Sequence, residues 1–198
     1  MAIVSTCAKL FSGFDASCDS PVRQYFQQAV LINKSDIDTL TITKTDTQTD
    51  PPTCQYFVEF SLKVDTTGYV FQGSEAGSNF FGSFDKTRSD LGFPQYVHNV
   101  QVLATGISEQ IKCIVDSLDK GSFIAALQLK DGTVEIYGAE NGLSTGDYSY
   151  NIQEGGGGAP ILLSSLENSP ENNLPLVYKS ASPGGEGADF DSAFSNPS

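Results

Sequence analysis

The sequence predicts a mainly β protein, a β-sandwich or barrel of antiparallel strands with one flanking α-helix at about residues 107–119. Three observations predict it. Apolar and polar residues alternate with a period of two through most of the chain, and a single segment carries a helical apolar stripe. The composition suits short strands and many turns, with 13 Phe, 8 Tyr and 19 Gly and no Trp. At 198 residues the chain can bury one sizeable core, which is expected as one domain over residues 1–180.

The first strand ends in Ala29-Val30-Leu31-Ile32, and Asn33-Lys34-Ser35-Asp36 breaks it. Leu40 and Ile42 then alternate with Thr39, Thr41, Thr43 and Thr45, placing β-branched polar residues on a wet face. The clearest strand follows, because Tyr56, Val58, Phe60, Leu62 and Val64 make one apolar face while Glu59, Ser61 and Lys63 meet water. Asp65 to Gly68 turns the chain into Tyr69-Val70-Phe71.

From Gln72 to Gln95 runs a stretch with four Gly, no sustained period, and four phenylalanines, Phe80, Phe81, Phe84 and Phe93. Loops of this length are functional or disordered, and disordered ones are seldom aromatic. The segment therefore reads as a long assembly loop, with those four residues as its oligomer interface; the alternative is a mobile surface loop whose Phe residues tuck onto its own core.

A strand around Val97 to Thr105 precedes the helix, where Ser108 is the expected N-cap, Ile111, Ile114, Val115 and Leu118 form one stripe, and Gly121 is the expected C-cap. Phe123, Ala125, Leu127 and Leu129 alternate inward on the next strand. Asp131-Gly132 makes a hairpin turn to Val134 and Ile136. Tyr148, Tyr150 and Ile152 alternate again, Gly155 to Gly158 interrupts, and Ile161 to Leu166 and Leu174 to Tyr178 supply the last strands. Residues 181–198 hold three acids, no base and few hydrophobes, so they are expected to form a flexible acidic tail.

Charge and motifs narrow the function. The formal charge is -13, and from Asp131 onward ten acids face one base, Lys179, so direct gripping of nucleic acid is not expected. The longest unbroken apolar runs, Ala29 to Ile32 and Phe123 to Leu127, fall far short of the roughly 20 residues of a membrane helix, and the start of the chain lacks a signal-peptide pattern. Folding in a cytoplasm and no membrane partner are expected. Cys7, Cys18, Cys54 and Cys113 contain no C-x-x-C pair and read as reduced thiols.

Gly142-Leu143-Ser144-Thr145-Gly146 matches G-x-S-x-G, but a strand pattern follows it instead of a helix, and the single histidine, His98, precedes the serine. His98 lies in an expected strand and reads as either a satisfied or an exposed histidine rather than a ligand, because a metal site needs further ligands at readable spacing. The Gly155 to Gly158 run lacks a following Lys-Ser or Lys-Thr, and the acid pairs Asp36 with Asp38 and Asp189 with Asp191 lack a calcium-loop ligand count. No enzyme, cofactor or metal is expected.

The stretches "DGTVEIYGAENGLSTGDYSYNIQEGGGGAPILLSSLENSPENNLPLVYKS", "VLINKSDID" and "KGSFIAALQLKDG" resemble structural proteins of tailed phages and prophages of Bacteroidetes-type bacteria. The likeness rests on an "EIYG" strand, a "GL" turn, a Gly-rich bend, an "ILxLSSxE" strand and a terminal "LP", and covers most of residues 18–180. It implies a virion component assembled in the bacterial host cytoplasm, foremost a tail tube (major tail) subunit. Such subunits form homo-oligomers, stacked hexameric rings, that contact other virion proteins and pass DNA through a lumen without sequence-specific binding. A head-decoration or tail-terminator protein shares the composition, and a glycan-binding β-sandwich module remains the alternative outside the virion.

Overall fold

The computed structural model describes residues 25–47, 53–72, 80–105, 108–148, 158–166 and 168–196. Its strands are β1 (Tyr25–Asn33), β2 (Ile37–Thr47), β3 (Thr53–Leu62), β4 (Tyr69–Gln72), β5 (Phe81–Arg88), β6 (Pro94–Thr105), β7 (Phe123–Leu129), β8 (Val134–Tyr137), β9 (Leu143–Thr145), β10 (Gly158–Ser165) and β11 (Leu176–Tyr178). The helices are α1 (Glu109–Leu118) and α2 (Glu186–Asp191). The protein is mainly β, as expected, and its 11 strands form one mixed sheet that does not close into a barrel. All neighbours pair antiparallel except β11 with β3.

β7 is the hub of the sheet. β1 lies along one of its edges, while β8 and then β9 follow one another along the other, Ala125 opposite Tyr137 and Phe123 opposite Leu143. Two wings leave that second edge, β8-β11-β3-β2 and β9-β10-β6-β5, and β4 extends the sheet beyond β1. The wings cover opposite faces of the β1–β7 pair. Ala29, Leu31, Phe123, Ala125 and Leu127 pack with Val100, Val102, Ile161 and Leu163 in one core. Val30, Ile32, Ile124 and Ala126 pack with Val58, Leu62, Ile136 and Leu176 in the other. One-sided alternation was expected along 123–129, yet six of these seven residues are buried, because a strand between two cores has no wet face.

The tail expectation is corrected. Residues 181–196 pack on the domain, where Phe190, Ala193 and Phe194 are buried in the second core. The backbone is stitched back as well: Gly68 N–H donates to Ala193 O at 2.8 Å, and Asn196 exchanges bonds with Asp65 and Thr66. Three hydrophobes in an acidic stretch looked too few for a core of their own, but they complete one that the sheet leaves open.

α1 begins at the expected cap, since Ser108 Oγ accepts from Ile111 N–H at 3.3 Å. It ends at Asp119 rather than at Gly121, whose role is close packing: a Cβ there would lie 2.1 Å from the Phe123 ring. The stripe is graded, with Leu118 buried, Ile111 and Val115 half-buried, and Ile114 36% exposed. Val64, expected on the inner face, lies past the end of β3 and is exposed. Tyr148 belongs to no strand, and Tyr150 and Ile152 lie outside the described residues.

Candidate functional site

The segment expected as a long loop is instead largely a hairpin. β5 pairs with β6 over eight residues, from Phe81 opposite Gln101 to Arg88 opposite Pro94. Its turn is local chemistry: Gly92 N–H donates to Ser89 O at 2.8 Å, Ser89 N–H donates to Phe93 O at 2.9 Å, and Gly92 takes φ +83°, a region open to glycine. Its stem rests on Tyr137 at Gly82, where a Cβ would lie 2.4 Å from the ring. The missing period is explained, because β5 has water on both faces over most of its length and no single apolar side to display.

The four phenylalanines separate accordingly. Phe80 is 3% exposed and belongs to the first core, which removes it from the expected interface. Phe81, Phe84 and Phe93 are 41%, 47% and 65% exposed, and Leu91 at the tip, which the sequence did not single out, is 84% exposed. Phe84 meets Tyr96 edge-on with centroids 6.1 Å apart. Lys86 and Arg88 share its face of β5, and among the described residues the one ion pair is Lys120 with Asp116. The hairpin is thus an arm with two unpaired cations and an apolar tip on a chain of charge -13.

The arm is rooted in a buried polar cluster. Residues 138–142 link β8 to β9, and their N–H groups are met by buried acceptors. Gly138 N–H donates to His98 Nδ1 at 3.2 Å, and Glu140 and Asn141 N–H donate at 2.9 Å to the two carboxylate oxygens of Glu171, a residue 1% exposed. Glu171 and Tyr96 exchange both backbone hydrogen bonds at 2.8 Å, which fastens β6 at the arm's base. Asn172 N–H and the Asn173 amide donate to the Glu140 carboxylate at 2.9 and 2.6 Å, and Lys34 Nζ donates to Glu140 O. Tyr56 joins in by donating to Asn173 Oδ1 and accepting from Leu174 N–H.

His98 is therefore a satisfied core histidine. A backbone N–H can only donate, so Nδ1 is the bare nitrogen and Nε2–H donates to Asn173 O at 2.9 Å. Burial lowers its pKa to about 4, against the opposing pull of the Asn173 carbonyl and the Glu140 charge. Burial also pushes the Glu171 carboxyl above its ordinary range, while the Asn141 and Glu140 N–H groups and Lys34 work against that shift. Nothing in the sequence marks Glu171, since its surroundings, Asn168-Ser169-Pro170-Glu171-Asn172-Asn173, have the composition of a solvated loop.

The remaining motifs take ordinary places. Ser144 sits in β9 and donates to Gly121 O, and residues 146–148 after the strand are not helical. Asp36 accepts from the Asn33 amide and Asp189 from the Tyr178 hydroxyl. Among the described residues no group of three or more His, Cys, Asp or Glu is placed to hold a metal ion. Cys113 is an exposed free thiol, while Cys7 and Cys18 lie outside the described residues. Among the described residues no helix is long and apolar enough to cross a membrane. Compared with family models, curated proteins and solved structures, the chain matches none.

Proposed function

We propose that the protein is a virion structural subunit that assembles with copies of itself, most specifically a tail tube subunit whose stacked rings form a conduit for DNA. The observation that carries the reading is the β5–β6 arm. Phe84, Leu91 and Phe93 present apolar surface to water on an element that already has a rigid root, and a neighbouring subunit would remove that surface from solvent. Each such side chain is worth roughly 1.5–3 kcal/mol on full burial, and ring closure repeats the contact around the assembly. Lys86 and Arg88 suit the same partner, because a second copy of a chain of charge -13 offers an acidic surface. The resemblance of most of residues 18–180 to phage structural proteins supplies the virion context, and the acid-rich third from Asp131 onward suits a wall along which phosphates slide.

Electron microscopy of the purified protein, joined to sedimentation over a range of concentrations, tests the reading. Rings or tubes are expected. A species that remains monomeric at every concentration would overturn it. A glycan-binding module is the second reading, and one observation favours it: a cleft of about 460 Å³ lined by Thr39, Thr41, Ser61, Ser180 and Ser182 offers hydroxyls suited to a sugar. Its aromatic residues, Phe60, Tyr178 and Phe194, pack against one another with centroids 5.0–5.1 Å apart, which leaves little ring face for a sugar to cover.

A further inference from the structure

We propose that His98 and the 138–142 turn form an acid-released latch that fixes the base of the β5–β6 arm. The latch depends on which groups donate. Neutral His98 accepts the Gly138 N–H at Nδ1 and gives its own hydrogen to Asn173 O, so one ring ties the β8–β9 turn to the segment after Glu171. A proton added to Nδ1 would set two donors against each other at 3.2 Å in a site with no room for water between them, and the contact to Gly138 would be lost. The turn is also tied to Glu171, which in turn holds Tyr96, and through Glu140 and Asn141 to Lys34, Pro170, Asn172 and Asn173. Losing the His98 tie therefore loosens the strand that carries the arm, since β6 runs unbroken from His98, near the arm's root, through Tyr96 to Pro94 beside its tip.

The charged and titratable neighbours set the direction. Glu171 holds the turn's N–H groups and Glu135 accepts from the Tyr137 hydroxyl, while the charge of Glu140 favours an imidazolium. Lys34, on Glu140 O, opposes it, and Asp85 and Lys86 on β5 flank Phe84, the residue opposite His98. Tyr137 packs edge-on to the ring at 5.7 Å, and Tyr56 reaches Asn173 from the other side. Burial outweighs the Glu140 charge at neutral pH and holds the latch shut. Its consequence for assembly rests on the reading of the arm given above.

The test uses the wild-type protein, in which His98 is the single histidine and its ring nitrogens can be followed by NMR without ambiguity. The expected result is a hydrogen on Nε2 at neutral pH and titration well below the ordinary value of 6.5. Over the same pH range the amides of Gly138, Glu140, Asn141 and Tyr96 should lose at least tenfold in exchange protection, after correction for intrinsic rates, while those of Val30, Ala126 and Leu163 keep theirs. In His98→Gln the acid-dependent part of this loss should vanish. Titration near 6.5, protection retained at the turn through the titration, or simultaneous loss at every amide would each overturn the latch. Sedimentation at the same pH values separates the two proposals: a latch that opens without any change in assembly would refute the arm's role and leave the latch standing.

Discussion

The Phe194 ring lies 5.0 Å from that of Phe60 and 5.1 Å from that of Tyr178, so a residue near the carboxy terminus closes the core between β3 and β11. Phe194 holds φ +56° to do so, a conformation that costs a non-glycine residue free energy and is kept where packing offsets it. Phe194→Ala is expected to lose about 3–5 kcal/mol in urea denaturation, and truncation after Ser180 should yield poorly soluble protein without a cooperative melt. A truncated chain melting like the full one would show that residues 181–196 are dispensable.

Along α1 the cost of truncation should track burial. Leu118→Ala should destabilise by about 2–5 kcal/mol, whereas Ile114→Ala, at a site 36% exposed, should cost distinctly less. Equal effects in paired denaturation curves would mean that the helix sits on the domain at a different rotation.

Stability should fall with acid in a way that depends on His98. Its folded pKa of about 4 lies below the ordinary 6.5, so between these values the unfolded chain binds a proton that the folded one refuses. Folding free energy is therefore fully present above pH 6.5, declines as the pH drops toward 4, and levels off below, a total of about 3 kcal/mol. Glu171 contributes with the opposite sign, because its raised pKa lets the folded state take up a proton first. The difference between wild type and His98→Gln isolates the histidine, since Glu171 is common to both. Parallel stability curves from pH 7 to 4 would contradict the assignment.

The arm should be separable from the core by substitution. Phe84→Ser, Leu91→Ser and Phe93→Ser, singly or together, should shift stability by less than about 1 kcal/mol and abolish assembly. Phe80→Ser should instead destabilise the fold, by about 3–5 kcal/mol, because Phe80 is a core residue despite its neighbours. Arm variants that still form rings, or that unfold, would count against the interface.

What the sequence determined by itself was local. Alternation marked β2, β3, β7 and β8, apolar segments bounded by turn residues marked β1, β6, β10 and β11, and the Ser108 cap with its apolar stripe marked α1, because period, punctuation and capping are set by residues close in sequence. Which strands pair, and on how many faces, was decided only in three dimensions. β7 is buried on both faces because two wings fold over it, a relation between residues up to a hundred positions apart that leaves only a continuous apolar run as its trace. The same cause hid the arm and its root. β5 shows no period because it leaves the core after Gly82, the acidic tail docks because a half-open core accepts three of its residues, and Glu171 is buried because donors from 140–141 and 96 converge on it. Burial of a polar group depends on partners that only the tertiary fold brings within hydrogen-bonding distance.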